Sequence, residues 1–123
     1  MTEFLVPVVM VLQLAGLQAQ AASFLGQWEA PRSDGPRTVE VRVDSDKLIV
    51  VVDGLPSPLD GKLYSKIYSK IDVRPSEPYA IVAQNPQRLF ILRREDDHLL
   101  VEMFSSLGSR PPSFWSQVFV RSK

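Results

Sequence analysis

The run Arg37-Thr38-Val39-Glu40-Val41-Arg42-Val43-Asp44-Ser45-Asp46-Lys47-Leu48-Ile49-Val50-Val51-Val52-Asp53-Gly54 decides the fold class. Val39, Val41 and Val43 alternate with Glu40 and Arg42, so an extended chain here has one apolar and one solvated face, as in a half-buried strand. Ser45-Asp46 turns the chain into the apolar run 48–52, and Asp53-Gly54 closes it. The pattern predicts a hairpin.

Working outward, the prolines mark the element boundaries. Apart from Pro7, they fall at 31, 36, 56, 58, 75, 78, 86, 111 and 112, all between apolar runs. Proline cannot donate to a sheet ladder and favours turns and strand ends, so the runs between prolines are the elements. Residues 89–92 and 99–104 form a second hairpin through Glu95-Asp96-Asp97. Residues 79–83 end at the turn dipeptide Asn85-Pro86, the last strand covers 114–121, and the first covers 24–30 before Pro31.

Segment 62–73 satisfies two periods. Leu63, Ile67 and Ile71 are four apart, as on a helix, yet every second residue from Leu63 to Val73 also shares a strand face. The duplicated Tyr-Ser-Lys-Ile fits both, and β-branched and aromatic content favours a strand. The count is then eight strands in an all-β chain. A small eight-stranded antiparallel up-and-down barrel is expected, because closure removes exposed edges; a two-sheet sandwich is the alternative.

The N-terminus carries an apolar run from Phe4 to Leu17, interrupted by Pro7, Gln13 and Gly16 and followed by Ala19-Gln20-Ala21. A membrane-spanning helix needs about 20 apolar residues. A shorter run followed by Ala-x-Ala reads as a secretory signal peptide over 1–21, cut after Ala21 or one residue later, with the barrel domain over 22–123. No stable membrane anchor is expected, although the leader lacks an early Lys or Arg. The protein is expected in a periplasm or secreted.

The chain is neutral, with 14 basic and 14 acidic residues, and has no cysteine. Dispersed charge argues against nucleic acid, whose binders carry a basic stripe, and against an anionic membrane surface. Small secreted animal domains usually carry disulfides, so a Cys-free exported domain points to a bacterium. Absence of cysteine also excludes thiolate metal sites and a lipidated N-terminus.

Phe24-Leu25-Gly26-Gln27-Trp28-Glu29 opens the first strand, and Val118-Phe119-Val120-Arg121 ends the last. Together these resemble the calycins, the lipocalin, fatty-acid-binding-protein and avidin group, which begin their barrel with Gly-x-Trp. Many of them place an arginine from the last strand over that tryptophan. The resemblance implies barrel closure through Gly26, Trp28 and Arg121, with a guanidinium over an indole as a favourable contact. Glu77-Pro78-Tyr79-Ala80-Ile81-Val82 is similar to the mid-barrel lipocalin segment, without its Thr-Asp pair. The chain departs from the family in being short, in lacking a C-terminal helix, and in having only residues 32–36 where fatty-acid-binding proteins carry a helical lid.

Catalytic residues, a metal site and cofactors are not expected. Glu95-Asp96-Asp97-His98 gathers acids with the lone histidine, but a carboxylate hairpin tip is ordinarily a solvated turn, and no serine has a partner that selects it as a nucleophile. Two functional classes remain. In one, the barrel binds a small hydrophobic ligand, as calycins often do; in the other, a filled barrel works through its surface as a protein-interaction module or inhibitor, or as a homodimer. Tyr64, Tyr68, Tyr79, Phe90 and Phe104 are the candidate ligand or partner contacts. Strands 48–52, 89–92 and 99–104 are apolar on both faces, so either loops cover them, a sandwich buries both faces, or they form an outer patch for a partner or second copy; the last is the favoured expectation, with Ile49, Val51, Phe90 and Leu100 in the patch.

Overall fold

The computed structural model describes residues 16–17, 19–64, 79–105 and 113–122. Eight strands follow in chain order: β1 (Gly26–Glu29), β2 (Thr38–Asp44), β3 (Lys47–Val52), β4 (Leu59–Tyr64), β5 (Ala80–Gln84), β6 (Arg88–Glu95), β7 (His98–Ser105) and β8 (Ser113–Arg121). Each pairs antiparallel with the next, and β1 pairs with β8 through Trp28↔Arg121 and Glu29↔Val120, closing the sheet. The fold is therefore an all-antiparallel up-and-down barrel, not a sandwich.

The quoted hairpin forms in the expected register, with Val39↔Val52, Val41↔Val50 and Val43↔Leu48. Its two-residue turn places Ser45 at φ 59°, and the turn between β6 and β7 places Asp96 at φ 53°. Short polar side chains tolerate this left-handed region best after glycine. On the outer face of β2, Arg42 bridges Glu40 and Asp44. Its hydrogen bond to Asp44, then the one to Glu40, raises its pKa; an exposed network of this kind contributes little to stability.

Two strands differ from the sequence expectation. In place of a first strand over 24–30, Ala22–Phe24 forms a 3₁₀ turn and β1 begins at Gly26, because Gly26 takes φ 116° and redirects the chain into the sheet. The fourth strand begins at Leu59, immediately after Pro58, since Leu59 already pairs with Val50. Of the segment expected over 62–73, residues 62–64 lie in β4, and residues 65–73 lie outside the described residues.

Alternation along the strands separates two faces. Inward positions include Trp28, Val39, Val41, Val50, Ile81, Phe90, Leu92, Leu99, Val101 and Phe119, all essentially inaccessible to solvent. Space is short even at the glycine of β4: a Cβ on Gly61 would come within 3.1 Å of Ile81 and 3.3 Å of Leu48 and Val50. At this strand number a barrel interior is just wide enough to be filled by side chains.

The double apolar character of β6 and β7 resolves differently from expectation. Phe90 is not on the outside; it shares inward parity with Leu92 and is fully buried. Ile49 and Val51 are outward and half-buried. Leu100 is outward yet buried, together with its outer-face neighbours Ile91, Arg93 and Glu102. Arg93 and Glu102 form an ion pair of 2.9 Å there, with both side chains nearly inaccessible. Burial lowers the Arg93 pKa, and the Glu102 charge opposes that shift.

Candidate functional site

The two ends of the barrel differ. At one end, the N-terminal segment is drawn across the opening. Residues 19–21 make a helical turn that leads into Ala22–Phe24, and Ala21 and Phe24 are fully buried. Trp28 donates its indole N–H to the Phe24 carbonyl at 2.8 Å. Its ring lies under two guanidinium groups, with Arg121 4.1 Å and Arg94 5.0 Å from the ring centroid. Both arginines donate to the Ser23 carbonyl at 2.8 Å; Arg121 also donates to the Leu25 carbonyl and Arg94 to the His98 carbonyl. Burial, and secondarily the Arg94 charge, lowers the Arg121 pKa. Within the 3₁₀ segment, the Ala22 carbonyl accepts from the Leu25 amide, the Phe24 carbonyl from Trp28 of β1, and the Ser23 carbonyl from the arginines of β6 and β8. The end is sealed.

The other end is partly covered by the β1–β2 connection. Trp115 donates to Asp34 at 2.8 Å, and Gly35 lies so close to its ring that a Cβ would approach to 2.9 Å. Trp115 meets Phe119 edge-on at 6.4 Å. Inward alternation also brings a row of polar residues to this mouth, where Arg88 pairs with Ser105 and Ser105 with Ser113.

Among the described residues, two recesses lie at the rims. One of about 470 Å³ sits where the β3–β4 ladder ends, lined by Leu17, Gln20, Lys47, Leu48, Lys62 and Leu63 among others. The second, of about 280 Å³, lies where β1 leaves β8, between Ala30, Pro31 and Arg32 on one side and Val118 and Val120 on the other. Outer-face apolar exposure concentrates beside it. Phe114, Val118 and Val120 of β8 are 40%, 48% and 43% exposed.

The sequence-predicted residues fall into separate places. Gly26, Trp28 and Arg121 converge at the sealed end, where a Cβ on Gly26 would meet Arg121 at 2.9 Å. Tyr64 is exposed on the outside of β4, and the Tyr79 hydroxyl accepts from Gln20 at 3.3 Å. Phe90 is in the core, whereas Phe104 is on the outer face, 5.0 Å from Phe114. Tyr68 lies outside the described residues. These aromatics do not line one cavity. At the acidic tip, Asp97 and His98 approach to 3.2 Å, but among the described residues no group of three or more potential metal ligands converges. No helix among the described residues is long and apolar enough to cross a membrane.

Sequence reasoning missed Arg94, Trp115, and the Arg93–Glu102 pair. Arg94 shares the inward parity of Phe90 and Leu92, but in a strand apolar on both faces that parity was not legible from sequence. The others required the register of three strands.

This geometry defines a class: a closed, eight-stranded antiparallel up-and-down barrel with a buried apolar core. No protein-family model matches the chain, nor does any curated protein or solved structure.

Proposed function

We propose that this is an exported calycin-like barrel that acts through its outer surface as a protein-interaction module, with the β8 face as the contact. The observation that carries the reading is the concentration of exposed apolar side chains on one strand, over a core of buried apolar side chains. Phe114, Val118 and Val120 project outward from β8, and the strand carries no charge between Ser113 and Val120. An apolar stripe of this kind, bordered by a recess, is where association removes the most hydrocarbon from water. The carrier reading is second: the inward side chains are buried against one another, and the space for a small ligand among the described residues is the rim recess of about 470 Å³.

The calycin assignment draws support from the tryptophan held under the last-strand arginine and from the closed eight-stranded up-and-down barrel. Export draws support from the apolar run and Ala-x-Ala. Cleavage on either side of Ala22 keeps the Ser23 carbonyl that both arginines use.

Native mass spectrometry of protein purified from its own host tests the function. The reading expects a stoichiometric protein partner, or a second copy, that Val118→Asp releases while the fold persists by circular dichroism. Stoichiometric co-purified lipid, or saturable binding of a fluorescent fatty acid, would overturn it in favour of the carrier.

A further inference from the structure

We infer that the barrel end opposite the 3₁₀ segment holds a binding site for a small oxyanion, a carboxylate or a phosphate, formed by Arg88 with the hydroxyls of Ser105 and Ser113. Three observations converge. First, the three residues are direct neighbours on β6, β7 and β8, because Arg88 pairs with Ser105 and Ser105 pairs with Ser113. Side chains of such pairs stand about 5 Å apart at their Cβ atoms and share a face. That face is the inner one, since Arg88 has the parity of Phe90, Ser105 that of Met103, and Ser113 that of Trp115.

Second, the Arg88 Nε is buried and has no hydrogen-bond partner. Buried guanidinium N–H groups are ordinarily paired, because desolvation without a partner costs about 1–3 kcal/mol or more. The other half-buried or buried arginines of the barrel obey this rule: Arg93 has Glu102, and Arg94 has two carbonyls. Arg88 is the exception. Among the described residues no carboxylate forms an ion pair with it.

Third, its backbone is held. Asn85 accepts from the Gln87 and Arg88 amides at 2.9 and 2.8 Å, and the Asn85 amide donates to the Arg88 carbonyl at 3.0 Å. The turn therefore presents the guanidinium from a fixed base.

The Ser105 and Ser113 hydroxyls are hydrogen-bonded to each other, so one of the two always has a proton shared inside the pair and each oxygen retains capacity for a further bond. An oxyanion between them and Arg88 would accept from the guanidinium and from a serine O–H, a charge-assisted arrangement suited to the planar donor fork of arginine. Below this row lie Phe90, Met103 and Trp115, paired across the same three strands. A carboxylate bearing a small apolar group would thus meet polar donors above and an aromatic floor beneath.

The test uses acetate, butyrate and inorganic phosphate as probes on the purified protein at matched ionic strength, balanced with chloride, read by thermal unfolding and by amide shifts in NMR. The expected result is saturable stabilisation with shifts at Ser105 and Ser113. Arg88→Gln should weaken binding by at least about tenfold, the loss of one charge-assisted hydrogen bond, while Arg88→Lys retains part of it. Ser105→Ala with Ser113→Ala weakens it independently, which covers the case of a poorly folded Arg88 variant. Preference for butyrate over phosphate identifies a carboxylate ligand, and the reverse a phosphate ester. Equal stabilisation of wild type and Arg88→Gln, as a general salt effect would give, overturns the site. Val118→Asp leaves the anion response intact, so this result and the β8 result are separable.

Discussion

Replacing Trp28 tests how the barrel is closed. In Trp28→Phe, the indole N–H that reaches the Phe24 carbonyl at 2.8 Å is lost, and a buried acceptor left unpaired costs about 1–3 kcal/mol. The smaller ring also weakens contact with two guanidinium groups at 4.1 and 5.0 Å, each worth about 0.5–2 kcal/mol. The expected loss is about 3 kcal/mol. Trp28→Ala should reach the upper part of the roughly 3–5 kcal/mol range for deleting a large buried aromatic. Arg121→Met keeps the aliphatic stem but removes the ring contact and the bonds to the Ser23 and Leu25 carbonyls, for about 2 kcal/mol. Urea unfolding reads these values as shifts in midpoint at constant slope. The decisive measurement is the double-mutant cycle of Trp28→Phe with Arg121→Met, where the shared contact predicts coupling of about 1 kcal/mol. Coupling below about 0.3 kcal/mol, the level of independent sites, would refute closure through the Trp–Arg pair.

Glu102→Ala removes the carboxylate 2.9 Å from the buried Arg93 guanidinium and should cost roughly 3–5 kcal/mol, whereas Arg93→Met with Glu102→Leu should recover most of it; chemical denaturation of the two variants and the wild type compares them. Gly26→Ala places a Cβ 2.9 Å from Arg121 at a φ of 116° and should cost about 1–3 kcal/mol, only partly relieved in an Arg121→Met background, since the backbone strain persists. N-terminal sequencing of the exported protein should return Ala22 or Ser23 as the first residue; a protein retaining Met1 in the membrane fraction contradicts the leader.

Alternation of Val39, Val41 and Val43 with Glu40 and Arg42, and proline or short polar turns between apolar runs, placed most strands within a few residues. These are local signals: the two-residue period of an extended chain and the missing N–H of proline act over single elements. The pairing of Trp28 with Arg121 was legible through the resemblance to Gly-x-Trp barrels, and it agrees with a closure that brings first and last strands together. Tertiary structure alone decided the rest. Whether Phe90 or Ile91 faces inward cannot be read from a strand apolar on both sides, since the choice depends on register with β5 and β7. Gly26 converts the expected start of β1 into a 3₁₀ turn because Arg94 and Arg121, 68 and 95 residues away in sequence, satisfy the carbonyls that turn leaves open. The Arg88–Ser105–Ser113 row and the Arg93–Glu102 pair are likewise products of strand register, which sequence period cannot specify when neighbouring strands are joined by loops of unequal length.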